Sequence, residues 1–182
     1  MINSLNTKYK EEVLAKIKEE FSLKNDLAVP TLSKIVVNIG AAEAIGNRDV
    51  LEKITDQLAT ISGQKPKITK ARESISTFKL KEGDQIGVMV TLRGKKAWDF
   101  FEKLIAIVMP RIRDFRGVTE TKFDKFGNFT MGLTEQILFP EIEYSKVDKI
   151  RGMAVSIVIK NGSPEKSKRF LELLGVPFRK VS

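Results

Sequence analysis

The sequence predicts an α+β fold in which helices cover one face of a sheet. Two observations carry this: three stretches alternate apolar with small or polar residues at a period of two, and four stretches carry apolar stripes at helical spacing. A third observation joins them, because from Gln85 to Gly117 a strand pattern runs directly into a helix pattern. A strand followed at once by a covering helix lays one layer on another.

Tyr9, Val13, Ile17 and Phe21 recur every four residues, giving an amphipathic helix with Lys and Glu outside that ends before Asn25-Asp26. Ile35, Val37 and Ile39 alternate with Val36, Asn38 and Gly40, so 33–40 reads as a strand whose polar face carries Asn38. Gly46-Asn47 offers an N-cap to a helix with Val50, Ile54, Leu58 and Ile61 on one stripe, closed by Gly63 as the left-handed residue past its end. From Gln64 to Lys81 the character changes to six basic residues, one acid and no sustained stripe. This predicts a short strand near Lys67 to Thr69, an exposed loop, and another strand near Ser76 to Leu80.

Ile86, Val88, Val90 and Leu92 alternate with Gly87, Met89, Thr91 and Arg93, which turns Thr91 and Arg93 away from the core. Gly94 breaks that strand. Ala97, Phe101, Leu104 and Val108, with Trp98 and Ile105 beside them, mark a helix that Pro110 should end. Between about 111 and 149, Gly117, Gly127, Gly132 and Pro140 punctuate short apolar pieces such as Gln136 to Phe139, predicting loops and a hairpin. Met153, Val155, Ile157 and Ile159 alternate with Ala154, Ser156 and Val158 as a third strand of the same kind. Ser163 as N-cap and Pro164 at the first helical position open a last helix, with Phe170, Leu171 and Leu174 on its stripe before Gly175.

A chain of 182 residues with 42 % hydrophobic content buries a core in one domain. Its 32 Lys and Arg against 23 Asp and Glu give a formal charge of +9, a surface that attracts polyanions, whether nucleic acid or an acidic membrane. No apolar run is long enough to span a bilayer, and MINSLNTKYKEE has no signal-peptide core, so neither a span nor an export signal is expected. The absence of Cys fits the cytoplasm and, with the absence of His, removes the commonest acid-base, nucleophilic and metal-ligating side chains. Neither a P-loop nor a dinucleotide fingerprint occurs. Glu11, Glu12, Glu19, Glu20, Glu52 and Asp56 lie on helices where they most simply keep the outer face wet, and no spacing argues for a metal. No catalytic residue, metal site or cofactor is expected.

Each strong strand has one apolar face, and helices cover only that one. The opposite face offers Asn38, Thr91, Arg93 and Ser156 among small residues, a hydrogen-bonding surface that suits RNA backbone and its 2′-hydroxyls. The same pattern equally describes a solvated antiparallel sheet face. Lys65, Lys67, Lys70 and Arg72, with Gln64 and Thr69, form a polar loop able to follow phosphates, or simply a solvated charge run. Arg111, Arg113 and Arg116 around Asp114 and Phe115 offer guanidinium forks and an aromatic plane to RNA, or an Arg–Asp network that packs a loop. Phe123, Phe126 and Phe129 form either a stacking platform or the small core of a hairpin.

Longer runs carry a resemblance. The segments GQKPKITKARESISTFKLKEGDQIGVMVTLRG (Gly63 to Gly94), PRIRDFRG (Pro110 to Gly117), EQILFPEIEY (Glu135 to Tyr144) and KIRGM (Lys149 to Met153), with IVVNIG (Ile35 to Gly40) and LGVPF (Leu174 to Phe178), resemble the L-five family of bacterial large-subunit ribosomal proteins, which binds 5S rRNA. They cover nearly the whole chain. The resemblance implies a mixed, mainly antiparallel sheet with helices packed on one face and RNA on the other, making 1–182 a single 5S rRNA-binding domain without catalysis. It has a basic loop at about 65–81 and a loop and hairpin region at about 111–149.

Residue by residue, Asn38, Gln64, Thr91 and Arg93 match the positions that the family uses on 5S rRNA. Segment by segment, the loop carrying Lys67, Lys70, Arg72 and Lys79 matches the one that reaches the transfer RNA in the peptidyl site. The stretch with Arg111, Arg113 and Arg116 lies where the family meets further RNA or a protein of the small-subunit head. The implied function is attachment of 5S rRNA to 23S rRNA in the central protuberance of cytoplasmic ribosomes, among neighbouring ribosomal proteins. The chain departs from the family's usual pattern at Ser76 (Ala is usual), at Lys81 (Arg is common), and at Asp124-Lys125-Phe126-Gly127, in place of Asp-Gly-Arg-Gly. The alternatives are a general basic RNA-binding or RNA-modifying protein outside the ribosome, and a peripheral membrane protein. The mixed Lys and Glu of the first helix do not favour the membrane, and no membrane partner is expected.

Overall fold

The computed structural model describes residues 4–44, 47–113 and 115–179, apart from the side chains of Arg48, Glu120 and Lys146. Gly46 and Asp114, for which a cap and an ion network were expected, lie outside the described residues. Five strands, β1 (Thr31–Gly40), β2 (Lys67–Lys70), β3 (Gln85–Arg93), β4 (Phe129–Leu133) and β5 (Met153–Lys160), form a single sheet in the order β2-β3-β1-β5-β4. β2 and β3 are antiparallel, with Lys67 opposite Met89, Ile68 opposite Val88 and Thr69 opposite Gly87. Ala41 N donates to Ile86 O at 2.8 Å, joining the end of β1 to the start of β3, and Gln136 N donates to Arg151 O beyond the end of β4, so these neighbours also run antiparallel.

The period-two patterns emerge as alternating burial. Ile35, Val37 and Ile39 are buried while Asn38 between them is exposed; Val88, Val90 and Leu92, and likewise Met153, Val155, Ile157 and Ile159, are buried at every second position. β4 follows the same rule over Phe129, Met131 and Leu133. It was expected only as part of a loop and hairpin region, because a run this short with Gly132 inside it reads as punctuation.

The chain forms two compact units. Of the described residues, the first takes in those up to Ile35, within Arg93–Met131 and from Ser156 on; the second takes in those within Val36–Leu92 and Gly132–Val155. In the first unit the N-terminal helix, residues 5–20, is α-helical over Leu5–Lys8 and Leu14–Glu20 and π-helical over Tyr9–Val13. A spacing of four overshoots an α-helical turn by about 40° at each step. The wider π turn takes up this drift, and Tyr9, Val13 and Ile17 are all buried. Tyr9 packs 5.4 Å from Trp98 and edge-on to Phe170 at 5.7 Å, and its hydroxyl donates to Pro30 O. Glu20 receives both Nε and Nη2 of Arg169, which lowers the Glu20 carboxyl and raises the Arg169 guanidinium from their ordinary values.

The third helix, residues 94–111, passes through a π-helical stretch over Leu104–Val108 and continues over Met109–Arg111. Pro110 therefore does not end it at the preceding residue. Proline removes one amide donor and crowds the carbonyl four residues back. The π register ends two residues before it, at Val108, and the chain leaves the helix two residues after it, at Ile112 with ψ 126°. The last helix, Pro164–Leu174, has Ser163 Oγ accepting from Lys166 N and Gly175 left-handed at its end, as the sequence predicts.

In the second unit, the helix Arg48–Ser62 starts at Asn47, whose Oδ1 accepts from Asp49 N, and stops at left-handed Gly63. Its buried stripe is Leu51, Ile54, Leu58 and Ile61. Leu51 takes the place expected for Val50, which is only half-buried.

Candidate nucleic-acid interface

The positions matched to 5S rRNA contacts are built by β1, β3 and the end of the Arg48–Ser62 helix. Gly63 turns the chain out of that helix and delivers Gln64 beside β3, where its Nε2 donates to Thr91 O at 3.0 Å. Ser62 Oγ fixes the same turn, donating to Leu58 O and to Gln64 O. One amide hydrogen of Gln64 is thus committed to the strand backbone, which holds the rest of the side chain in place. Thr91 is half-buried on the side of β3 opposite Val90 and Leu92, and Arg93, two residues further on the same side, is exposed. Asn38 occupies the exposed position between buried Val37 and Ile39 on β1.

Register adds one residue to this group. Lys67 lies directly opposite Met89 in the β2–β3 ladder, so its side chain leaves the strand on the side of Thr91. The sequence placed it with the basic loop; the ladder places it with the strand face. Gly87 makes the close spacing possible, since a Cβ there would sit 2.8 Å from Ile39 O and 2.9 Å from Thr69 Oγ1.

Lys70, Arg72 and Lys79 are exposed on or beside the loop that follows β2. The strand expected near Ser76 to Leu80 is instead a 3-10 turn over Ser76–Phe78 closed by a single bridge between Ile75 and Leu80. Lys79 has φ 51°, and that left-handed step folds the segment back on itself instead of extending it. The loop is cross-tied: Ala71 N donates to Asp84 O, Glu82 N to Ser74 Oγ, and Lys81 N to Asp84 Oδ2. Its tip exposes Phe78, which with Leu80, Ala41, Ala42 and Ile86 borders a hollow of about 460 Å³. Arg111 closes the third helix, and Arg113 and Arg116 follow it, all exposed.

The three phenylalanines separate. Phe123 and Phe129 pack at 5.1 Å and both meet Phe178, the small core that the hairpin reading predicts, whereas Phe126 is 63 % exposed.

One charged cluster was not legible. Buried Arg151 donates to Glu43 through Nε at 2.8 Å and to both carboxylate oxygens of Asp148 through Nη1 and Nη2, and Lys149 also pairs with Glu43. Buried Gln136 ties in, donating to Lys149 O and accepting from Arg151 N. The Arg151 guanidinium draws the Asp148 carboxyl down to about 2 against the opposing effect of burial. Lys149 and then Arg151 lower Glu43, and the bond to Asp148 leads in raising Arg151. Its members answer one another, so it reads as a fastening. Nothing local in the sequence signals it.

Among the described residues, no group of His, Cys, Asp or Glu is arranged to hold a metal ion, and no helix is long and apolar enough to cross a membrane. Comparison with known families matches residues 25–81 to ribosomal protein L5 and residues 85–178 to the ribosomal L5P family C-terminus. The large ribosomal subunit protein uL5 of Desulfatibacillum aliphaticivorans is 49 % identical over 179 residues, 98 % of this chain and 100 % of that protein. The uL5 proteins of Symbiobacterium thermophilum and Roseiflexus castenholzii are each 50 % identical, over 96 % and 98 % of this chain and 97 % and 99 % of their own lengths. With the α+β sheet, these matches define the class: a structural ribosomal protein, not an enzyme. The chain belongs to the ribosomal protein L5 family.

Proposed function

We propose that this chain is a large-subunit ribosomal protein of the cytoplasm that works as a single 5S rRNA-binding domain and attaches 5S rRNA to 23S rRNA in the central protuberance. Asn38, Gln64, Thr91 and Arg93 make the 5S contact. Lys70, Arg72 and Lys79 on the basic loop meet the transfer RNA in the peptidyl site, with Lys67 at the root of that loop beside the strand face. Arg111, Arg113 and Arg116 face further RNA or a small-subunit head protein. The mechanism is positional: neutral donors and acceptors on a strand fix orientation, and cations neutralise phosphates.

The observation that carries this reading is the bond from Gln64 Nε2 to Thr91 O, which joins two of the four positions across 27 residues of sequence. A polar side chain anchored this way presents its carbonyl oxygen at a fixed place, as discrimination between RNAs requires. The test is a salt series of binding to 5S rRNA against an unrelated folded RNA of similar length. Preference for 5S rRNA that persists as salt rises supports the reading, with log affinity falling by roughly 0.7–0.9 per phosphate neutralised per tenfold salt. Equal affinity for both RNAs, lost together, overturns it.

A further inference from the structure

The segment Asp124-Lys125-Phe126-Gly127 is a built turn that presents an aromatic ring. Asp124 Oδ1 accepts from Phe126 N at 2.9 Å and Asn128 N at 2.8 Å, its Oδ2 accepts from Asn128 Nδ2 at 2.8 Å, and Gly127 N donates to Asp124 O. Asp124 N donates in turn to Asn128 O, and Phe123 pairs with Phe129 below as an isolated bridge. The turn is also seated. Gly127 has φ +79°, and a Cβ there would sit 2.5 Å from Ser167 Oγ and 2.8 Å from Ser163 O; a Cβ on Gly162 would meet Phe126 O at 3.3 Å. Asn128 Oδ1 accepts from Ile159 N. The backbone carrying Phe126 is thus held from both sides, while its ring is 63 % exposed.

Burying this ring inward was open to the chain, because Phe123 and Phe129 pack against Phe178 within a few residues of it. The turn directs it outward instead. Lys125 Nζ lies 5.1 Å from its centroid, Lys122 is exposed at the base of the hairpin, and Lys160 is exposed at the end of β5, just before the turn that seats it. The carboxylate in the turn, Asp124, is spent on its own backbone and on Asn128. An exposed ring flanked by cations suits a base with its phosphates; a protein pocket that takes up an aromatic surrounds it with apolar groups.

We propose that Phe126 stacks on an unpaired base of RNA while Lys122, Lys125 and Lys160 meet the adjoining phosphates, a contact separate from the one made by Asn38, Gln64, Thr91 and Arg93. The proposal rests on the reading of this chain as an RNA-binding ribosomal protein. A preformed turn lowers the ordering cost of such a contact, because the backbone is fixed before RNA arrives. The chain carries Lys125-Phe126 at a tetrapeptide that departs from the pattern usual in the family it resembles.

The test uses the full chain and two probes, a single-stranded oligoadenylate of about ten nucleotides and intact 5S rRNA. Phe126→Ala lowers affinity for oligoadenylate by about five- to a hundredfold, the range for loss of one stacked base, and Phe126→Tyr retains it. Phe126→Leu, apolar without a ring, falls with Phe126→Ala. Phe126→Trp adds a surface fluorophore beside the single native tryptophan, buried Trp98, and its emission is quenched when oligoadenylate binds. Oligoadenylate binding by Phe126→Ala equal to that of the parent chain, or an unquenched Phe126→Trp, overturns the proposal. A loss confined to assembly with ribosomal proteins, with RNA binding intact, also overturns it and assigns the ring to a protein. Failure of the chain to prefer 5S rRNA strikes the 5S reading alone, since the oligoadenylate arm does not depend on it.

Discussion

Gln64 and Thr91 and the basic loop lie in the same compact unit and present polar groups of opposite kinds. Around Gln64 and Thr91 the polar groups are few, mostly neutral and tied to backbone: one side-chain bond joins the end of a helix to β3, and strand alternation sets every direction. Around Lys70, Arg72 and Lys79 the groups are long, charged and exposed, and only the backbone beneath them is held. Placed hydrogen-bonding groups discriminate between RNAs, whereas exposed cations add attraction to any polyanion. The same unit therefore carries both placed hydrogen-bonding groups and freely exposed cations, and the proposed division of labour between them can be broken by substitution.

The most severe way to break the contrast is Gly87→Val. Its added carbons would enter a space where Ile39 O lies 2.8 Å from the first of them, so β1, β2 and β3 must shift together. A loss of about 1–3 kcal/mol in stability is expected from overpacking, read as a lower urea midpoint, with 5S rRNA affinity falling alongside it. A gentler substitution acts on the strand face alone. Gln64→Leu keeps the side-chain bulk, removes the bond to Thr91 O, and is expected to cost about 1 kcal/mol of 5S rRNA binding with little change in fold. Titration calorimetry at fixed salt measures this. Smallest is Asp84→Ala, which frees Lys81 N from its carboxylate partner. Faster amide exchange at Lys81 is expected, with 5S rRNA affinity unchanged. A drop in that affinity would merge the loop with the strand face and end the distinction.

The fastening at Arg151 gives a pH test in the same unit. The Asp148 carboxyl is held at about 2 in the fold against an ordinary 3.8, so its contribution to stability is complete above 3.8 and is lost as pH falls through 2. Arg151→Met is expected to flatten the acid limb of a stability profile between those values.

Much of this was legible because it is local. The alternation in Ile35 to Ile39, Ile86 to Leu92 and Met153 to Ile159 has one buried face, and a period-two pattern reports that directly. Asn47, Gly63, Ser163-Pro164 and Gly175 are end signals whose chemistry lies within four residues of the site they mark. Ser76 to Leu80 misled because Phe78 and Leu80 alternate like a strand, while the left-handed backbone at Lys79 that turns the chain has no signature in a lysine. Residues far apart in sequence were the least legible. Glu43 and Arg151 are separated by 108 positions, and neither the bond between them nor the one from Gln64 to Thr91 follows from pattern. The proposed contact positions Asn38, Thr91 and Arg93 stood out as polar residues on apolar strands; Gln64 stood out only as a neutral member of the polar loop, and its grouping with the strand positions came from the family resemblance.

The central claim is that 5S rRNA is held by the strand face and not by the basic loop, and a matched pair of substitutions tests it most directly. Arg93→Ala and Lys70→Ala each remove one exposed cation from the same unmodified fold. If Arg93 makes charge-assisted bonds to 5S rRNA, Arg93→Ala weakens binding by about 1–3 kcal/mol and Lys70→Ala leaves it almost intact. Equal losses from both would contradict the account, because the loop would then belong to the 5S site.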